Sequence, residues 1–88
     1  MSWKIEIKPS AEKQYLKLDK KTRKQIKESL INLEEQNNPF LDKNVRALTG
    51  ELRGDYRLRV GRWRILFTPD KQSGILFVYA ILPRSDAY

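Results

Sequence analysis

Hydrophobic and polar residues alternate strictly at the start of the chain, where Trp3, Ile5 and Ile7 are separated by Lys4, Glu6 and Lys8. A period of two puts one set of side chains on each side of an extended backbone, so this stretch predicts a half-buried strand. Pro9 and Ser10 end it, with Ser10 standing where a helix N-cap belongs and Glu12 in the first turn. Ala11, Tyr15 and Leu18 then recur at helical spacing until "LDKKT" interrupts the pattern. From about Lys20 a second helix carries Ile26, Leu30 and Leu33 on one stripe, with Lys24, Lys27, Glu28 and Glu34 mostly off it. "QNNPF" stops this helix, because the residue before a proline is pushed out of helical geometry. The two elements predict an αα-hairpin.

Residues 41–55, "LDKNVRALTGELRGD", mix apolar and polar positions around two glycines and read as an irregular connection. Three strand candidates follow, Tyr56 to Val60, Trp63 to Thr68 and Ile75 to Leu82, separated by "GR" and "PDKQSG". The last, "ILFVYAIL", is apolar on both faces, as expected of a strand with neighbours or cover on both sides. The predicted fold is α+β, in the order β-α-α-β-β-β, with the αα-hairpin packed on one face of an antiparallel four-stranded sheet. No repeat or low-complexity tract interrupts it, and residues 1–88 are expected to form one domain.

The pattern in "YRLRVGRWRILF" raises a question of charge, since it holds four arginines within strongly apolar sequence. With Gly61 and Arg62 as the central residues of a type II′ turn, Val60 faces Trp63 and Arg59 faces Arg64. Arg57 shares the face of Arg59, while Tyr56, Leu58, Val60, Trp63 and Ile65 point to the other side. Like charges directly opposite one another cost about half a kcal/mol, so stability alone does not select this arrangement. Any single arginine has an ordinary structural explanation, lying flat across the sheet or pairing with Glu51, Asp55 or Asp70. Three converging arginines with few acids nearby point to a phosphate site.

Composition narrows the chemistry. Eighty-eight residues support one small core, and no apolar run approaches the roughly 18–20 residues needed to span a bilayer. The N-terminal "MSWKIEIKPS" lacks the apolar region and cleavage site of a secretory signal, so a cytoplasmic location is expected. The absence of cysteine agrees with this and excludes disulfides, thiolate catalysis and Cys-based metal sites. Histidine is also absent, which removes the usual base near neutral pH and the commonest metal ligand. No metal or cofactor is expected, and any catalysis falls to Tyr, Asp, Glu, Lys or Arg.

A net charge of +7 favours polyanions, with nucleic acid or an acidic protein as leading partners. Its distribution is uneven: residues 1–50 hold nine lysines and two arginines, residues 51–88 one lysine and six arginines. The lysines suit the solvated faces of amphipathic helices, whereas the planar fork of arginine suits bidentate grips on phosphate. Past the last strand, "RSDAY" places Arg84 and Tyr88 on a short tail able to fold over the sheet, although Tyr88 also reads as a frayed terminal residue.

In "GELRGDYRLRVGRWRILF" followed by "ILFVYAILPRSDAY", the chain resembles the RelE/ParE superfamily of toxins from toxin–antitoxin pairs, over nearly its full length. The resemblance implies a RelE-like toxin: a ribosome-dependent, metal-independent mRNA endoribonuclease that cleaves mRNA in the ribosomal A site, inhibits translation and is neutralised by a cognate RelB-like antitoxin. Arg57, Arg59 and Arg64 then fall on the family's basic sheet positions, and Arg84 and Tyr88 on its basic residue and tyrosine after the last strand. In several relatives the basic residue lies further ahead of the tyrosine, where this chain has Leu82. Arg53 and Arg62 are assigned to RNA binding.

Attack of a 2′-hydroxyl on the adjacent phosphorus needs proton removal, charge stabilisation on the phosphorane and a proton for the leaving oxygen. Arginine, with a pKa above about 12, supplies the second of these. Tyr88 serves either as base, if neighbouring arginines lower its pKa, or as a stacking platform; Asp86, Asp55 and Glu51 are the next candidates for base. The alternative within the superfamily is a ParE-like toxin that inhibits gyrase and is not a nuclease.

Overall fold

The computed structural model describes residues 3–84. Among them the chain forms β1 (Lys4–Ile7), α1 (Pro9–Leu16), α2 (Lys20–Glu35), β2 (Val45–Ala47), β3 (Tyr56–Val60), β4 (Trp63–Asp70) and β5 (Ile75–Pro83). The strands make one sheet in the order β1-β5-β4-β3-β2. The α+β class and the αα-hairpin are as the sequence predicts, and no described helix is long and apolar enough to cross a membrane.

The sheet differs from the expected four-stranded antiparallel one in two ways. β1 runs parallel to β5, with Lys4 opposite Ile75 and Ile7 opposite Val78. A period of two reads the same in either direction, and the partner of β1 is the last strand rather than a sequence neighbour, so alternation cannot reveal its sense. The second difference is β2, a fifth strand within the stretch read as irregular, which pairs antiparallel with β3. It has three residues, of which only Val45 is buried, and single-turn helices at Pro39–Leu41 and Gly50–Leu52 flank it. So short a strand leaves no periodic signature.

The core lies between the sheet and the hairpin. Ile26, Leu30 and Leu33 of α2 and Ala11 of α1 pack on Leu58, Val60, Ile65, Phe67, Leu76, Val78 and Ile81 of the sheet. An aromatic run from Trp3 through Phe40 and Tyr56 to Phe67, with ring centroids 5.4, 4.7 and 5.9 Å apart, fastens the α2–β2 connection to this core. Asp19 caps α2 by accepting from the Thr22 N–H, and the side-chain and backbone bonds from Thr22 hold its carboxyl below the usual range. This cap is the physical content of the break at "LDKKT".

Ser10 is not the cap of α1, contrary to the sequence expectation. Lys8 occupies that position without a side-chain bond, and Pro9, with its preset φ, opens the helix. Ser10 instead donates to the Tyr79 carbonyl at 2.9 Å, and Gln14 Oε1 accepts from the Ile81 N–H at 2.7 Å. β1 stops pairing at Val78, so these two side chains continue the ladder along the exposed edge of β5. At the outer edge of β1 the Glu34 carboxylate plays the same part, accepting from the Ile5 N–H at 2.7 Å. Replacing Gln14 with Ala leaves the Ile81 amide without its acceptor and is expected to lower stability by about 1–3 kcal/mol in urea unfolding. Ser10→Ala is expected to have a smaller effect, because at that exposed position water can satisfy the carbonyl.

Candidate phosphate-binding face

The turn between β3 and β4 sets the geometry of the site. Gly61 has φ of 58° and no non-glycine residue among those described has positive φ, which fits type II′ and excludes type I′ at Gly61–Arg62. Val60 lies opposite Trp63 and Arg59 opposite Arg64, the register the sequence predicts. The Arg59 N–H donates to the Asn44 carbonyl at 2.9 Å, so its backbone points toward β2 and away from β4. Arg59 and Arg64 therefore form a non-hydrogen-bonded pair, the type in which Cα atoms are about 4.5 Å apart and side chains stand closest.

Leu58, Val60, Ile65 and Phe67 are buried toward the helices, leaving Arg57, Arg59 and Arg64 on the opposite face. Arg59 is exposed; Arg57 and Arg64 are half-buried and engaged by neighbouring groups. The arginines do not have this face to themselves. Leu66, opposite both Arg57 and Ala80, is buried outside the helix-facing core, and Leu82 lies opposite Arg64. Cations thus border an apolar floor.

Sequence reasoning missed one member of the face. Arg46 is exposed on β2 directly opposite Arg57, in the strand that was not legible. The only available signal was a valine two residues before an alanine with arginine between them, too slight to mark a strand.

The remaining predicted residues are dispersed. The Arg84 N–H donates to the Arg62 carbonyl at 2.8 Å, which ties the end of β5 to the β3–β4 turn and places both residues near the Arg59–Arg64 pair. Arg53 is exposed beyond the other end of β3, so Arg53 and Arg62 are not brought together. Tyr88 and Asp86 lie outside the described residues. Glu51 is exposed in the connection before β3.

Asp55 is already occupied. Its Oδ1 accepts from Thr68 Oγ1 at 2.9 Å and its Oδ2 from Tyr79 Oη at 2.8 Å. A β-bulge makes this possible: Leu66 pairs with Ala80 and Phe67 with Val78, leaving Tyr79 as the extra residue. Burial, then the hydrogen bond to the Asp55 carboxylate and its charge, push the Tyr79 phenol far above its ordinary value. Neither group is suited to take a proton from a substrate near neutral pH. The face as described can neutralise and orient an anion but does not supply a base. Among the described residues, no group of three or more acidic side chains is placed to hold a metal ion.

Residues 5–88 match the family of ParE toxins of type II toxin–antitoxin (parDE) systems. No curated protein matches the chain by sequence. Among solved structures, the toxin–antitoxin complex RelBE2 of Mycobacterium tuberculosis is similar, with 18% identity, 96% of this chain and 100% of that chain covered, and a TM-score of 0.81. The archaeal RelE–RelB complex of Pyrococcus horikoshii has 23% identity, covers 99% and 100% of the two chains, and gives a TM-score of 0.77. The isolated E. coli RelE toxin has 20% identity, covers 93% and 84%, and gives 0.71. At these identities the likeness is one of fold.

The Asp55–Tyr79 bond has a consequence in alkali. A phenol whose folded-state pKa is raised stabilises the fold below the unfolded value of about 10, and that contribution is lost as pH rises above it. In an ultraviolet titration of the folded protein, one tyrosine is expected to stay protonated well above pH 10, and Tyr79→Phe is expected to remove that late component.

Proposed function

The chain belongs to the ParE toxin family of the RelE/ParE superfamily, and from that premise we propose that it is a RelE-like endoribonuclease acting on mRNA in the ribosomal A site. The observation that carries this reading is the Arg59–Arg64 pair, with Arg57 on the same face. Two guanidinium groups set directly across a ladder repel one another, and a bound phosphate converts that repulsion into attraction.

In the proposed reaction the substrate 2′-oxygen attacks the adjacent phosphorus, a new O–P bond forms, and the bond to the 5′-oxygen of the next nucleotide breaks. Arg57, Arg59 and Arg64 stabilise the charge that builds on the phosphorane, and their fixed protonation keeps them out of the proton transfers. Tyr88 is assigned the removal of the 2′-hydroxyl proton, and Arg84 support of the leaving group. Asp55 is dropped as an alternative base, since both its oxygens already accept hydrogen bonds. A phenol is mostly protonated at neutral pH, so much of the rate must come from a template that holds the mRNA in line for attack.

The proposed partner is a RelB-like antitoxin. Two similar structures are toxin–antitoxin or RelE–RelB complexes, and the groove lined by Ile5, Ile7, Tyr15, Leu30 and Ile31 offers apolar surface beside the lysines of α2. Acidic stretches of the antitoxin meet the basic sheet, and binding is expected at nanomolar affinity or tighter, weakening with salt. The second reading, a gyrase-inhibiting toxin without nuclease activity, draws on the matched family being that of ParE toxins.

Two assays separate the readings. Incubation with mRNA-programmed ribosomes is expected to give strong cleavage in a vacant A site and negligible cleavage of free RNA; inhibition of gyrase on supercoiled DNA with intact mRNA establishes the second reading instead. Arg64→Ala is expected to reduce the cleavage rate roughly 10²–10³-fold while the protein stays folded. Tyr88→Phe is expected to reduce it about 10²–10⁴-fold. Wild-type cleavage by Tyr88→Phe alongside loss in Tyr88→Ala assigns the ring to stacking and places the base elsewhere.

A further inference from the structure

We propose that Arg46 extends the arginine face onto β2 and binds a phosphate flanking the one that reacts, with Arg57 shared between the two, so that the sheet grips single-stranded RNA at two successive positions. The inference rests on the RNA reading above and adds a residue and a subsite to it.

The register supplies the geometry. Arg46 pairs with Arg57, and the carbonyls and amides on either side of Arg57 show how they meet: the Asp55 carbonyl accepts from the Leu48 N–H at 2.9 Å, and the Arg59 N–H donates to the Asn44 carbonyl. Asp55 and Arg59 both direct their backbones to β2, so Arg57, of the same parity, does as well. Arg46 and Arg57 are therefore a hydrogen-bonded pair, with Cα atoms about 5.5 Å apart and side chains on the same face. Two strand spacings, about 10 Å, separate β2 from β4. Arg46 consequently stands to one side of the Arg59–Arg64 pair, where a chain laid across the strands presents its next phosphate.

Charge and surroundings agree. Arg46 is exposed, and none of the carboxylates in the described hydrogen bonds is directed to it: Asp42 accepts from Gln36 and Asn44, and Asp55 from Thr68 and Tyr79. A second like-charge pair across a second ladder repeats the unfavourable arrangement of Arg59 and Arg64. Leu82, half-buried on β5 opposite Arg64, adds apolar surface at the end of the face remote from Arg46, where a ribose or base can rest. A phosphodiester chain presents successive anions to two such neighbouring pairs, whereas an isolated anion has no use for the second.

The test is the salt dependence of binding to a short single-stranded RNA, read by fluorescence anisotropy. Loss of one phosphate contact on a single strand lowers the slope of log K against log salt by about 0.7. Arg46→Ala is expected to lower the slope by about that amount and to weaken binding roughly three- to tenfold near 0.1 M salt, irrespective of sequence. Arg46→Lys, which keeps the charge, is expected to restore the slope. If Arg64→Ala lowers the slope and Arg46→Ala leaves it unchanged, the flanking subsite is overturned while the RNA reading stands. If neither changes it, the RNA reading falls and the subsite with it. An Arg46→Lys protein as impaired as Arg46→Ala also overturns the proposal, since the contact is then not electrostatic.

Discussion

The register of the β3–β4 hairpin is the constraint on which the rest of the face depends. In a strand, a slip of one residue moves every side chain to the other side, so a two-residue turn decides what is core and what is surface. With Gly61 in the left-handed region, Leu58, Val60, Ile65 and Phe67 all turn to the helices. Arg57, Arg59 and Arg64 have nowhere to go but the opposite face. Hydrophobic burial, which has no direct interest in phosphate, thus concentrates positive charge. The repulsion within the face is small beside the burial that enforces it, since each buried aliphatic or aromatic side chain contributes about 1.5–3 kcal/mol.

A flat face of cations needs a rigid support, and the rest of the molecule supplies it by closing the edges of the sheet. β5 runs beside β1 for four pairs and then relies on Ser10 and Gln14 of α1. Where α1 reaches β5, the bulge turns Tyr79 outward to Asp55, at the mouth of β3. The same short segment of β5 is thereby fixed on one side by a helix and on the other by the entry to the arginine-bearing strand. Thr68 completes this lock from β4. Three strands and a helix converge on it, which holds the spacing between β3, β4 and β5 at the end remote from the turn.

The chemistry divides along the same lines. Groups that are permanently charged are built into the sheet, where backbone pairing fixes their positions. Asp55 and Tyr79 are bonded to one another, and the second Asp55 oxygen accepts from Thr68. Among the described residues the face therefore offers fixed positive charge for an anion.

Periodicity alone determined the helices, through Ala11 and Tyr15 on α1 and Ile26, Leu30 and Leu33 on α2, and it determined the arginine face through one glycine and the alternation around it. These features are local: each depends on residues within a few positions, where side-chain direction follows from the backbone period. The parallel sense of β1, the existence of β2, the place of Arg46 beside Arg57, the use of Ser10 and Gln14 as strand partners and the capture of Asp55 by Tyr79 were decided by tertiary structure. Each joins residues far apart in the chain or rests on a segment too short to show a period. Hydrogen-bonding groups left open at a sheet edge or a bulge are satisfied by whatever the fold brings within reach, and only the folded chain specifies what that is.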